Sequence, residues 1–167
     1  QVEQEIETLI DGDITPFLAQ SQNLGKVTRL DDASNRYIEF VKNSFPKDKN
    51  LTGLKIVVDC ANGAAYKIAP KIFWELGAEV IAIGIDPNGF NINENCGSTH
   101  PEMLRKSVIE NKADIGIALD GDADRLLIID ENGTVIDGDK VIALIAEKLH
   151  NDGNLKKDTV VITQMSN

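Results

Sequence analysis

From residue 54 onward, apolar runs alternate with amphipathic stretches. The run LKIVVDC (54–60) is continuous and is closed by Asp59, the pattern of a strand covered on both faces. Residues 64–76 follow, with Ala65, Ala69, Ile72 and Leu76 at helical spacing and Gly77 as a C-terminal stop. Pro70 falls inside this stretch, so the helix is predicted to kink there or to begin later. EVIAIGI (79–85) predicts a second strand, and DPNGFNINENCGST (86–99) a long polar loop. Thr99 to Glu102 reads as a capping box, with Pro101 in the first turn of a helix that carries Leu104, Val108 and Ile109. DIGIALD (114–120) predicts a third strand and LLIID (126–130) a fourth. Asn132-Gly133 reads as a two-residue hairpin turn into TVI (134–136). A helix is predicted over 138–150, with Val141, Ile142, Leu144, Ile145 and Leu149 apolar, and a last strand over TVVIT (159–163).

Upstream, the rhythm is looser. Residues 1–10 predict a short helix with Ile6, Leu9 and Ile10 on one face, interrupted by Gly12 and Pro16. Residues 19–31 are polar and read as a linker. A helix is predicted over 32–45, capped by Asp31 or Asp32 and ended by Pro46, with Tyr37, Phe40, Val41 and Phe45 as its apolar stripe. Strand, helix, strand, helix, strand is the signature of a mainly parallel sheet. The predicted fold class is α/β, a three-layer α/β/α sandwich around a mixed, mainly parallel sheet. A start inside a charged helix and an end just past a strand suggest a piece of a longer protein.

Composition narrows the functions. The chain of 167 residues carries a net charge of −10, which argues against nucleic-acid binding. It leaves phosphorylated substrates open, because a metal or local Arg and Lys can reverse the field. No apolar run is long enough for a membrane helix and no signal peptide is read, so a cytoplasmic location is expected. Cys60 and Cys96 form no CxxC pattern and read as two buried thiols in a reducing compartment.

The chemistry gathers in ALDGDADRLL (118–127). Asp120, Asp122 and Asp124 sit at alternate positions between apolar runs. Their mutual repulsion is costly unless a cation offsets it. In an extended strand Asp120 and Asp124 would lie about 13 Å apart, too far to share an ion whose oxygens lie within about 2.0–2.6 Å. A shared ion therefore requires a tight loop, which Gly121 and Ala123 suit. Three carboxylates favour Mg²⁺, Mn²⁺ or Ca²⁺ over Zn²⁺. The position beyond a parallel strand's carboxyl end is where such sheets place ligands. Arg125 adds donors suited to phosphate oxygens.

Several neighbouring patterns are weighed against it. The pairs Asp11/Asp13 and Asp137/Asp139 also flank a glycine, and read as a turn and a helix N-terminus. An EF-hand would place Gly where Arg125 stands, and is rejected. A haloacid-dehalogenase-type phosphatase with Asp120 as nucleophile fits Asp120 and Asp122 but not Asp124, and stays as an alternative. DCANGAA (59–65) reads as a tight strand-to-helix turn more readily than as a phosphate site. His100 reads as a helix-start residue, and Trp74 as packing.

ALDGDADR resembles the metal-binding loop of the α-D-phosphohexomutases, whose usual form is D-G-D-[GA]-D-R. LKIVVDCANGAA (54–65), ELGAEVI (75–81), NINENCGSTHPE (91–102) and VIDGDK (135–140) agree with that family over nearly the whole chain. NINENCGST is most similar to the bacterial phosphoglucosamine mutase branch, with the phosphomannomutase and phosphoglucomutase branches as alternatives. The resemblance implies four domains around one cleft. A phosphoserine in the first donates its phosphoryl group to a phosphosugar, through a sugar bisphosphate intermediate. In this branch glucosamine 6-phosphate becomes glucosamine 1-phosphate, a precursor of UDP-N-acetylglucosamine and peptidoglycan. It implies Mg²⁺ on Asp120, Asp122 and Asp124, with Arg125 contacting the transferred phosphate. It places 1–31 at the end of the preceding domain and a linker, 32–160 in the second, metal-binding domain, and 161–167 at the start of the next. The family's T-A-S-H-N-P serine loop has no counterpart in these residues, nor do the sugar- and phosphate-binding loops of later domains. The chain by itself is therefore expected to be inactive.

Overall fold

The computed structural model describes residues 1–30, 32–164 and 166. It divides into two compact units, Gln1–Ala33 and Ser34–Asn167. Asp31, one of the two candidate caps, and Met165 and Asn167 at the chain's end lie outside the described residues.

The first unit holds helix α1 (Val2–Asp11) and two short 3₁₀ turns, Thr15–Phe17 and Ser21–Asn23. The predicted stripe of α1, Ile6, Leu9 and Ile10, is exposed.

The second unit is built on a five-stranded sheet in the order β2-β1-β3-β4-β5. Its strands are β1 (Lys55–Asp59), β2 (Glu79–Ile83), β3 (Ile115–Leu119), β4 (Leu126–Asp130) and β5 (Val135–Ile136). β1 runs parallel to both β2 and β3, while β4 runs antiparallel to β3, and β5 to β4. The result is the mixed sheet expected. Helix α3 (Ile68–Glu75) packs on one face, burying Ile56, Val58, Cys60, Ala69 and Ala78. Helix α4 (Glu102–Asn111) packs on the other, where Leu104 and Val108 close over Val57, Ala118 and Ile129. Covering both faces explains why LKIVVDC is apolar without alternation. The sandwich is thus three-layered, α/β/α.

Pro70 resolves as a late start. α3 begins at Ile68, so the proline lies in the first turn, where a missing N–H breaks no helical bond. Helix α2 (Ala33–Lys42) is shorter than predicted, and only part of its predicted stripe turns inward. Ile38 is buried, with Val41 and Phe45 half-buried, whereas Tyr37 and Phe40 are exposed. Trp74 is 65% exposed, and it is its neighbour Phe73 that packs on the core. The capping box does not form. Pro101 takes the N-cap position, which leaves Thr99 too early to reach the first turn, and its Oγ1 meets His100 Nδ1 at 3.1 Å. His100 accordingly stands just before the helix, exposed.

The β4–β5 hairpin closes through 131–133 and not through a two-residue turn. Asp130 N–H donates to the Thr134 carbonyl, and Gly133 holds the left-handed conformation. Helix α5 (Gly138–Asn151) is capped by Asp137, whose side chain accepts the Asp139 N–H. The strand predicted over 159–163 is absent. A strand exists only through a ladder partner, and the sheet ends at β5 without pairing these residues. Val161 is 91% exposed as a consequence. Cys60 and Cys96 are buried free thiols. Burial, together with the Asp59 charge, pushes the Cys60 thiol up to about 12. Neither is suited to act as a nucleophile.

Candidate metal centre

The loop 120–125 leaves β3 at its carboxyl end and returns as β4, with Leu119 paired to Leu126. Asp120 starts it and is 1% exposed, while Asp122 and Asp124 face solvent. The loop curls as the shared-ion reading requires. Ala123 takes the left-handed conformation, φ 63°, and its N–H closes back on the Asp120 carbonyl at 3.1 Å. One carboxylate oxygen from each of Asp120, Asp122 and Asp124 lies within 4.8 Å of the others. That span is close to the ~4.2 Å between opposite oxygens of an octahedral Mg²⁺. The chain thus presents a tri-aspartate cluster able to coordinate a metal ion.

Arg125 organises the buried member. Its backbone N–H donates to Asp120 Oδ1 at 3.1 Å, and its Nε–H to Oδ2 at 2.7 Å. The backbone bond first, then the guanidinium, hold the Asp120 carboxyl down at about 2. Asp124 moves the opposite way, raised by the charges of Asp122 and then Asp120. The cluster therefore retains repulsion that a cation would offset. The Arg125 side chain stays 65% exposed, and only one of its five N–H donors is committed to Asp120.

Two other loops brace this one at the carboxyl end of the sheet. The turn after β1 carries left-handed Ala61 and Asn62 and brings Gly63 against Gly121. A Cβ on Gly63 would sit 2.2 Å from the Gly121 carbonyl oxygen, so only glycine allows this approach. The Ala64 N–H then donates to that same carbonyl at 2.8 Å. From the long polar loop, the Ser98 N–H donates to the Leu119 carbonyl at 2.9 Å. Beside the loop lies a cavity of about 240 Å³ lined by Tyr37, Ala64, Ala65, Ile68, Asp122 and Ala123.

The structure brings Asp120, Asp122, Asp124 and Arg125 together and leaves His100 apart, just before α4. The close approach of Gly63 to Gly121, and the bonds by which Asp59 accepts the Ala61 and Gly97 N–H groups, are not legible in the sequence. The only local signal is that Asp59 closes the apolar run of β1 much as Asp120 follows that of β3.

Residues 35–133 match the family model described as phosphoglucomutase/phosphomannomutase, alpha/beta/alpha domain II. The whole chain is 58% identical to the phosphoglucosamine mutase of Mesorhizobium japonicum, and spans 37% of that protein's length. The same identity and coverage hold for the phosphoglucosamine mutase of a Chelativorans species. A crystal structure of a phosphoglucomutase/phosphomannomutase family protein from Burkholderia thailandensis superposes with a TM-score of 0.66 at 28% identity. It covers 92% of this chain and 32% of that one. No helix among the described residues is long and apolar enough to cross a membrane.

Proposed function

The chain belongs to the phosphoglucomutase/phosphomannomutase family, and on that premise we propose that it is the metal-binding part of a phosphoglucosamine mutase. The reaction is the interconversion of glucosamine 6-phosphate and glucosamine 1-phosphate through a phosphoserine enzyme and a sugar bisphosphate. Its product feeds UDP-N-acetylglucosamine and peptidoglycan synthesis. The observation that carries the reading is the tri-aspartate cluster, closed to within 4.8 Å at a strand's carboxyl end with Arg125 beside it. Identity of 58% to phosphoglucosamine mutases over the full chain supports that branch over the others.

Asp120, Asp122 and Asp124 would hold Mg²⁺. Their hard oxygen donors and uncompensated charge fit that ion better than Zn²⁺. Bound there, the cation supplies charge neutralisation at a phosphoryl oxygen. Phosphoryl transfer asks the protein mainly for positioning and electrostatics. Asp120 is fixed by Arg125 and anchors the loop from the core. Asp122 and Asp124 reach outward, where a phosphate can approach. Arg125 supplies further N–H donors to that phosphate, in the geometry a guanidinium matches well. The phosphosugar's remaining contacts and the phosphoserine belong to parts of the enzyme outside these residues, and the domain limits 1–31, 32–160 and 161–167 are part of the same proposal.

The test is ³¹P NMR on the full-length protein that contains these residues. Conversion of glucosamine 6-phosphate to glucosamine 1-phosphate is expected, and Asp122→Asn should abolish it. The 167-residue chain alone should not turn over, even with a sugar bisphosphate activator present. Turnover by the chain alone, or full activity in Asp122→Asn, would overturn the reading.

A further inference from the structure

Asp59 is a fully buried carboxylate, 0% exposed, at the carboxyl end of the central strand β1. It lies outside the tri-aspartate cluster, and among the described residues no cation pairs with it. Its partners are backbone groups of two loops. Oδ1 accepts the Ala61 N–H at 2.9 Å, and Oδ2 accepts the Gly97 N–H at 2.7 Å. A third segment presses on the same group, since a Cβ on Gly84 would lie 2.5 Å from Oδ1.

Each loop so anchored reaches the aspartate loop within three residues. From Ala61 the chain runs to Ala64, whose N–H holds the Gly121 carbonyl. From Gly97 it runs to Ser98, whose N–H holds the Leu119 carbonyl. Leu119 and Gly121 flank Asp120 on either side. The two loops are also tied to each other, since the Asn93 N–H donates to the Ala61 carbonyl at 2.9 Å.

We propose that Asp59 is the positioning residue of the metal loop. Its single carboxylate anchors both of the loops whose N–H groups fix the carbonyls before and after Asp120. The proposal rests on the metal-binding reading above and extends it to a residue that touches neither metal nor substrate. The two anchoring bonds need two acceptor oxygens on one rigid group. Asparagine offers one acceptor and sets an NH₂ against the second N–H, donor to donor. The volume is preserved and one anchor is lost. Residues that orient metal ligands from outside the coordination sphere typically matter by roughly 10–100-fold in affinity.

The experiment compares Asp59→Asn with Asp114→Asn in the full chain. Asp114 is a second acidic anchor, at the opposite end of the sheet, where its Oδ2 accepts the Lys55 N–H at 2.7 Å. It controls for an aspartate-to-asparagine change that costs no backbone anchor, since one acceptor oxygen suffices there. Mn²⁺ affinity is read by electron paramagnetic resonance, and amide exchange by NMR. Asp59→Asn should weaken Mn²⁺ binding by roughly 10–100-fold and speed exchange at Ala64 and Ser98, while Asp114→Asn leaves both unchanged. Equal loss in the two variants, or unaltered affinity in a folded Asp59→Asn, overturns the proposal. If Asp59→Asn does not fold, the native chain decides. The amides of Ala61, Ala64, Gly97 and Ser98 should open as one unit, slowed together by Mg²⁺, and independent opening overturns the proposal. Failure of the native chain to bind Mn²⁺ would instead sink the metal reading, while exchange at Ala64 and Ser98 still reports whether Asp59 anchors both loops.

Discussion

Arg125 grips both oxygens of Asp120, one with its backbone N–H at 3.1 Å and the other with its Nε–H at 2.7 Å. One residue thereby closes the loop and fixes the buried member of the acidic cluster. The remaining two aspartates project from that fixed point.

This grip sets a pH dependence. The folded Asp120 carboxyl sits at about 2, below the ordinary 3.8, so its ionised form favours the fold. That contribution is complete above 3.8 and is lost as pH falls through about 2. Asp124 is raised by its acidic neighbours and takes up its proton first. On acidification, Mn²⁺ affinity should therefore fall before the fold does. Parallel titrations of Mn²⁺ binding and circular dichroism check this, and coincident transitions would contradict it.

Gly63→Ala should disturb the loop from below. The new methyl group would meet the Gly121 carbonyl oxygen at 2.2 Å, and backbone cannot yield as a flexible side chain does. Overpacking of this kind costs about 1–3 kcal/mol. Urea denaturation should show that loss, and metal affinity should weaken with it.

Leu104→Ala is the contrasting case. Leu104 is fully buried on the α4 face, in the layer with Val57, Val108 and Ile129. Its truncation should cost about 2–5 kcal/mol. Metal affinity of the folded fraction should stay unchanged, because α4 braces the sheet and not the loop. A large drop in affinity without a drop in stability would be the wrong pattern.

A haloacid-dehalogenase-like phosphatase would need Asp120 as a free nucleophile. Both of its oxygens are engaged by Arg125. The chain is therefore expected to leave p-nitrophenyl phosphate intact and to form no acyl-phosphate on Asp120. Hydrolysis that disappears in Asp120→Asn would revive that alternative.

Much of this was legible in the order of residues, for physical reasons. Chain reach alone demanded that Asp120 to Asp124 curl if they share an ion, and the left-handed Ala123 supplies the curl. Continuous apolar runs required cover on both faces, which α3 and α4 provide. Features set by distant partners were hidden. Asp59 finds Gly97 38 positions away, and a lone acid after an apolar run does not announce that bond. In α2 the larger Tyr37 and Phe40 point the sequence pattern away from Ile38, because bulk alone does not fix which face is buried. The run TVVIT has strand-forming residues, yet no neighbouring strand pairs with it. Thr99 matched a capping box by spacing, but Pro101 moved the helix start.

Mn²⁺ titration of the chain beside three single Asp→Asn variants decides whether Asp120, Asp122 and Asp124 act as one divalent-cation site. The titration should show one site per chain, weaker than micromolar because three carboxylates leave a ligand to be supplied from elsewhere. Affinity should fall in Asp120→Asn, Asp122→Asn and Asp124→Asn alike. Undiminished binding in Asp122→Asn and Asp124→Asn, or submicromolar affinity in the chain alone, would contradict such a site.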